Sequence, residues 1–179
     1  MVRQAPEVKT LLLDIVSTTC GSGWDFISFR SYGTWLHGDD RGSIDRFHNR
    51  YGDPYLPQSE AWERHNRKQR KSDPFVLGVT ERQSVKNAIR ETCTIRNWHL
   101  QALNVRTNHV HTVVTANCDP ERVLNAFKAN ATRQLREDRL WPHPFSAWAD
   151  KGSKVRLWNE RSVANAINYV LNGQGGDLK

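Results

Sequence analysis

Cysteine is scarce in this 179-residue sequence: Cys20, Cys93 and Cys118 are far apart, and no Cys-x-x-Cys occurs. An odd number at such spacings suggests neither a disulfide framework nor a cysteine zinc site. A reducing cytoplasm is the simple inference. Long apolar runs are missing as well. No stretch of about 18 apolar residues is present, so neither a membrane span nor a membrane partner is expected. Leu11-Leu12-Leu13 is followed at once by Asp14, too short an apolar stretch for a secretory signal. No internal repeat or low-complexity tract is visible.

Positive charge, by contrast, is in excess. Twenty-six Lys and Arg stand against 19 Asp and Glu, for a net charge of +7 and an isoelectric point near 9.6. A polyanion partner suits this balance, although an ordinary basic protein shows it too. Seven tryptophans offer rings that stack on unpaired bases or fill a core.

The length fits one domain with an insertion. Residues 1–23 read as a leader. Residues 24–32, aromatic and β-branched, read as a strand. Residues 33–79 look irregular, punctuated by Gly33, Gly38, Gly42, Gly52, Pro54, Pro57 and Pro74. Within them lies a basic piece, Arg64, Arg67, Lys68, Arg70 and Lys71. A long irregular stretch in a small domain is usually functional, yet a charge run is also ordinary solvated surface.

A helix follows over about 81–97, with capping-box spacing at Thr80 and Gln83 and apolar Val85, Ala88 and Ile89 at helical period. Leu100 to Val105 and residues 109–116 read as two strands. Asp119-Pro120 forms an N-cap and first-turn pair for a helix whose apolar face is Val123, Leu124, Phe127, Ala131 and Leu135. Residues 153–158 suggest a short strand. Asn159 then caps a last helix over about 160–172, ended by Gly173. This order predicts an α+β sandwich, a largely antiparallel sheet with helices on one face.

Two elements carry chemistry. In a strand, His109 and His111 project to the same face and Val110 to the other. Two neutral imidazoles on one rigid strand hold a divalent ion, though polar positions facing solvent give the same pattern. Tyr169 lies on the last helix, about a third of a turn from the apolar face of Val163, Ala166, Ile167, Val170 and Leu171. It shares its side with Asn165 and Asn172. It reads as a nucleophile or as an edge tyrosine packing by its ring. The two elements fit one reaction. A tyrosine hydroxyl, with an ordinary pKa near 10, attacks poorly by itself. A metal on two histidines polarises a scissile phosphate, and a covalent phosphotyrosine conserves its energy for rejoining.

Asn108-His109-Val110-His111-Thr112-Val113-Val114 resembles the His-hydrophobe-His strand of the HUH endonucleases. More narrowly, Phe26-Ile-Ser-Phe-Arg, the His pair after a helix and strand, and the terminal Tyr169-Val-Leu-Asn-Gly-Gln resemble the single-tyrosine (Y1) transposases of the IS200/IS605 kind and their REP-associated relatives. The resemblance covers roughly residues 24–32 and 81–176. It implies a ferredoxin-like or RRM-like fold, Mg²⁺ or Mn²⁺, and a single-stranded or hairpin DNA partner in the bacterial, nucleoid-associated cytoplasm. It further implies a 5′-phosphotyrosine intermediate with a free 3′-hydroxyl. His109 and His111 then correspond to metal ligands and Tyr169 to the nucleophile. Arg30, with the basic piece, is a candidate DNA contact. The family's last helix completes its own site or that of a partner in a homodimer, and both arrangements stay open.

One position departs. The family's third ligand, Gln or Asn, stands four residues after the tyrosine, where this chain has Gly173. Gln174 is the favoured replacement and Asn172 the alternative. A competing reading is a non-catalytic single-stranded nucleic-acid-binding module, its RRM-like sheet stacking bases on Phe26, Phe29 and Tyr32. A zinc hydrolase would need further His or Cys ligands and a helix-borne general base.

Overall fold

A computed structural model describes residues 23–40, 42 and 56–173. Strands β1 (Trp24–Ser31), β2 (His99–Val105), β3 (His109–Thr115) and β4 (Trp148–Leu157) form one sheet in the order β2-β3-β1-β4. Every neighbouring pair is antiparallel. Helices α2 (Val79–Arg96) and α3 (Pro120–Glu137) connect β1 to β2 and β3 to β4, and α4 (Glu160–Asn172) follows β4. Strand and helix order therefore match the expected ferredoxin-like α+β class. No helix among the described residues is long and apolar enough to cross a membrane.

Alternation along the strands divides the sheet into two faces. Ile27 and Phe29 of β1 and Val110 and Val114 of β3 meet Val85 and Ile89 of α2 and Leu124, Phe127 and Leu135 of α3 in the main core. A smaller cluster lies on the other face. There Ala102, Val113 and Leu157 meet Val163 and Val170 of α4, with Trp24, Phe26, Ala166 and Ile167 against them. The expectation that the helices share one face thus needs amendment. The apolar stripe of α4 has to be buried, and the outer sheet face offers apolar residues at one end only.

The caps explain most element boundaries. Asp119 accepts a hydrogen bond from the Glu121 amide at 2.7 Å, with Pro120 in the first turn. Asn159 accepts one from the Ser162 amide at 2.8 Å. Thr80 is not a cap: α2 starts one residue before it, with Gly78 as N-cap. The left-handed Asn97, φ 53°, ends that helix. Strand β4 begins at Trp148, earlier than expected, where Lys128 donates to the carbonyls of Ala149 and Asp150 at 2.7 and 2.8 Å. Burial pulls the ammonium of Lys128 below its ordinary pKa. Burial likewise pushes the Cys93 thiol up to about 12, so it packs as an inert apolar group.

The insertion is less irregular than its composition suggests. It contains α1 (Glu60–Lys68), capped by Ser59, acidic in its first turn and basic in its last, with no buried residue. The helix docks on a turn at Gly38, φ +92°, where a Cβ would lie 2.5 Å from the Ser59 carbonyl oxygen. Asn66 ties it to the His37 carbonyl at 3.2 Å. Further on, Phe75 and Leu77 enter the main core, bonded through their amides to the carbonyls of Tyr32 and Thr107.

Candidate active site

The pairing of β1 with β3 builds the site. Ser28 lies opposite His111 and Arg30 opposite His109. Directly opposed residues in an antiparallel pair share a face. Ser28, Arg30 and both histidines therefore line the outer face beyond the end that α4 covers. The imidazole centroids are 4.6 Å apart, as the i, i+2 spacing requires. Val110 is fully buried on the opposite face.

The start of β3 is held tightly. The Asn108 carbonyl accepts from the Ser31 amide at 2.9 Å and from the Ser31 hydroxyl at 3.2 Å. The Asn108 side-chain oxygen lies 2.7 Å from Nδ1 of His109. An amide oxygen accepts, so this contact suits the His109 tautomer with its proton on Nδ1. Asn108 thus helps to orient the His109 ring.

Tyr169 arrives from α4. Its ring centroid is 5.6 Å from that of His111, edge to face, and 6.0 Å from that of Phe26. Phe26 in turn stacks on His111 at 5.5 Å with 15° between planes. Tyr169 is 47 % exposed, so its ring packs while its far edge reaches the open face. Its ring packs at an edge that borders the histidines. Asn172 is exposed and donates to Asn168 at 2.8 Å. Gln174 lies outside the described residues. At Gly173 a Cβ would stand 2.8 Å from Cδ2 of Tyr169. A side chain four residues after the tyrosine would therefore collide with its ring.

Donor chemistry provides a test of metal fit. Among the described residues no third His, Cys, Asp or Glu joins the pair. Two imidazoles leave an ion's other positions for water and phosphate oxygens. The paired imidazoles suit a divalent ion.

Arg30 holds its guanidinium carbon 3.3 Å above the Trp35 ring, which fixes a cation beside His109. Arg64 and Arg67 form ion pairs with Glu60 and Glu63 on α1. Arg70 and Lys71 lie past the end of β1, where the Lys71 amide donates to the Tyr32 hydroxyl at 2.7 Å. The basic piece is thus set apart from the histidines in the sequence of elements, at the exit of β1. The base-stacking platform fares worse. Phe29 is only 2 % exposed, edge-on to Trp148 in the main core. Tyr32 packs against Trp141 and Phe145, and α4 covers Phe26. Sequence reasoning missed that Ser28 and Asn108 border the histidine pair. Strand register places Ser28, and no sequence motif announces it.

A histidine pair and a tyrosine thus meet on the outer face of a four-stranded antiparallel sheet. Comparison with known families agrees, and the chain belongs to the family described as "Transposase IS200 like", which matches residues 67–166. That span is more than half of the sequence; it contains both histidines and stops just before Tyr169. Two solved structures are similar at 13 % identity. One is a REP-associated tyrosine transposase bound to a REP hairpin, with a TM-score of 0.49, covering 83 % of this chain and 64 % of that one. The other is a candidate transposase from Deinococcus radiodurans R1, with a TM-score of 0.47, covering 89 % of this chain and 96 % of that one. This chain therefore spans less than two thirds of the length of the first. No curated protein matches the sequence.

Proposed function

We propose that this transposase cuts and rejoins single-stranded or hairpin DNA through a 5′-phosphotyrosine at Tyr169. In this reading His109 and His111 hold Mg²⁺ or Mn²⁺, with Gln174, or else Asn172, as third ligand. The observation that carries it is the Tyr169 ring 5.6 Å from His111, beside the paired imidazoles.

When bound, the ion supplies electrophilic pull on the non-bridging phosphate oxygens. The chain's own residues perform the exchange. The Tyr169 oxygen attacks phosphorus, and its proton passes to solvent at the open face. A phosphorus–tyrosine oxygen bond forms as the bond to the 3′ oxygen breaks. That oxygen takes a proton and departs as a 3′-hydroxyl. The phosphodiester energy stays in the tyrosyl ester, so a second 3′-hydroxyl can reverse the reaction. Arg30 supplies a fixed positive charge opposite His109 for a phosphate oxygen. The stretch Arg64–Lys71 holds flanking DNA outside the centre, and the target is nucleoid DNA in the bacterial cytoplasm.

The test is incubation with labelled single-stranded and hairpin DNA in Mn²⁺, read on a denaturing gel. A covalent protein–DNA band is expected. Its absence across a randomised library would leave a binding module instead. Tyr169 borders His111 of its own chain, and a homodimer that shares its last helix is the alternative arrangement. Regained cleavage on mixing Tyr169→Phe with His111→Ala protein would reveal a homodimer that shares helices.

A further inference from the structure

A polar contact fastens the segment that carries Tyr169 to the neighbouring strand of the sheet. The side-chain amide of Asn104, on β2, donates to the backbone carbonyl of Val170 at 2.8 Å. Asn104 is paired in register directly opposite His111, so its side chain stands on the same sheet face as that imidazole. Val170 is the residue after Tyr169, in the last turn of α4, where carbonyls run out of amide donors within the helix. The group facing the carbonyl has to be a donor, which fixes the orientation of the Asn104 amide.

We infer that Asn104 is a positioning residue for the nucleophile, setting the distance and angle of Tyr169 relative to the histidine pair. This rests on the assignment of Tyr169 as nucleophile. Two features support it. First, apolar packing alone sets the position of α4 loosely, because of its thirteen residues only Val163 and Val170 are fully buried. Apolar contact has little directional preference, whereas a hydrogen bond of 2.8 Å is directional. Second, the tie is made at the turn bearing Tyr169 and reaches the strand residue paired with His111. It therefore registers one reacting group against the other, and not merely the helix against the sheet. In this inference Asn104 acts through the position of Tyr169. Its effect falls on the chemical step, where a misplacement of about 1 Å costs on the order of 100-fold.

Three variants separate this role from simple stabilisation. Asn104→Leu keeps the volume and loses the donor. Asn104→Asp keeps the shape and presents an acceptor to an acceptor. Asn104→Gln retains an amide donor on a longer stem. The substrate is the oligonucleotide that wild-type protein traps from a randomised single-stranded library with Mn²⁺. The readouts are the single-turnover rate of adduct formation, the Kd for DNA with Ca²⁺ in place of Mn²⁺, Mn²⁺ affinity, and the melting curve. We expect Leu and Asp to slow adduct formation about 10- to 100-fold, with Gln recovering part of the rate and both affinities within about twofold of wild type. Wild-type rates in Leu and Asp overturn the inference. So does a rate loss that merely parallels lost folding or DNA binding, which would make Asn104 structural. A Tyr169→Phe control that still forms the adduct brings down the nucleophile assignment itself, a failure distinguishable from that of Asn104.

Discussion

Phe26 and His111 lie ring on ring, 5.5 Å apart and 15° from parallel, and Tyr169 meets both edge-on. Two strands and a helix, remote in sequence, thus contribute to one aromatic wall. The phenyl ring fixes the plane of the imidazole from one side while Tyr169 borders it on another. Substituting the tyrosine by phenylalanine preserves this wall and deletes one oxygen. Tyr169→Phe is therefore expected to bind DNA within about twofold of wild type, since stacking area is retained. It should form no covalent adduct on a denaturing gel. A band of wild-type intensity would refute the nucleophile assignment.

The histidines and their supports follow a graded expectation. His109→Ala and His111→Ala each delete a ligand and should abolish cleavage and weaken Mn²⁺ binding, measured by calorimetry. Asn108→Ala leaves both rings but frees His109 to take the wrong tautomer, and a loss of about 10- to 100-fold in metal affinity or rate is expected. Gln174→Ala should slow cleavage more than Asn172→Ala. The reverse order would move the third ligand to Asn172, and wild-type behaviour of both histidine variants would make the pair structural.

Neutralising Arg67, Lys68, Arg70 and Lys71 together tests the basic piece. Every phosphate-binding cation removed flattens the slope of log affinity against log salt by about 0.7 for a single strand. Arg67 is paired with Glu63, so its contribution should be smallest. Weaker binding with a flatter slope is expected, with cleavage retained at saturating DNA. Unchanged affinity and slope would reduce the stretch to solvated surface.

The buried Asp25 gives a pH-dependent prediction. It is fully inaccessible and pairs with Arg156 at 3.2 Å. Burial raises its pKa, Arg156 opposes the rise, and Asp119 adds to it. A raised acid binds its proton more tightly when folded. Its contribution is present below the unfolded pKa and is lost as pH rises through the folded one. Arg156→Ala removes the opposing charge and leaves a buried carboxylate at neutral pH. We expect a loss of about 2–3 kcal/mol at pH 7, below that of a wholly buried pair because Arg156 is partly exposed. The loss should shrink toward pH 4, as Asp25 takes up its proton. Denaturant melts at both values decide it, and an equal loss at each would show that packing alone is at stake.

Much of this architecture is legible in the sequence because its signals are local. Asp119 and Asn159 announce two helices, and the spacing of His109 and His111 places both on one face once a strand is assumed. The basic helix α1 escapes notice because it buries nothing and so has no apolar stripe. Its Ser59 cap and its acid-to-base polarity are the readable signs. The early part of β4 escapes because an edge strand with exposed Lys151 and Lys154 shows little alternation. Phe29 resembles a stacking surface in the sequence because composition does not reveal strand phase. The side of the sheet met by α4 is likewise a matter of tertiary packing, since an apolar stripe names no partner.

The shallow seat of α4 has a thermodynamic consequence. Eight residues of α3 are buried, against two of α4. A fully buried valine or leucine contributes about 1.5–3 kcal/mol, so the last helix has much less to lose on detaching than the helices of the main core. Regions with few buried apolar side chains open at free energies well below that of global unfolding. In amide hydrogen exchange the turn bearing Tyr169 therefore opens well before the main core, while Val110 and Val114 at the sheet centre exchange only on global unfolding.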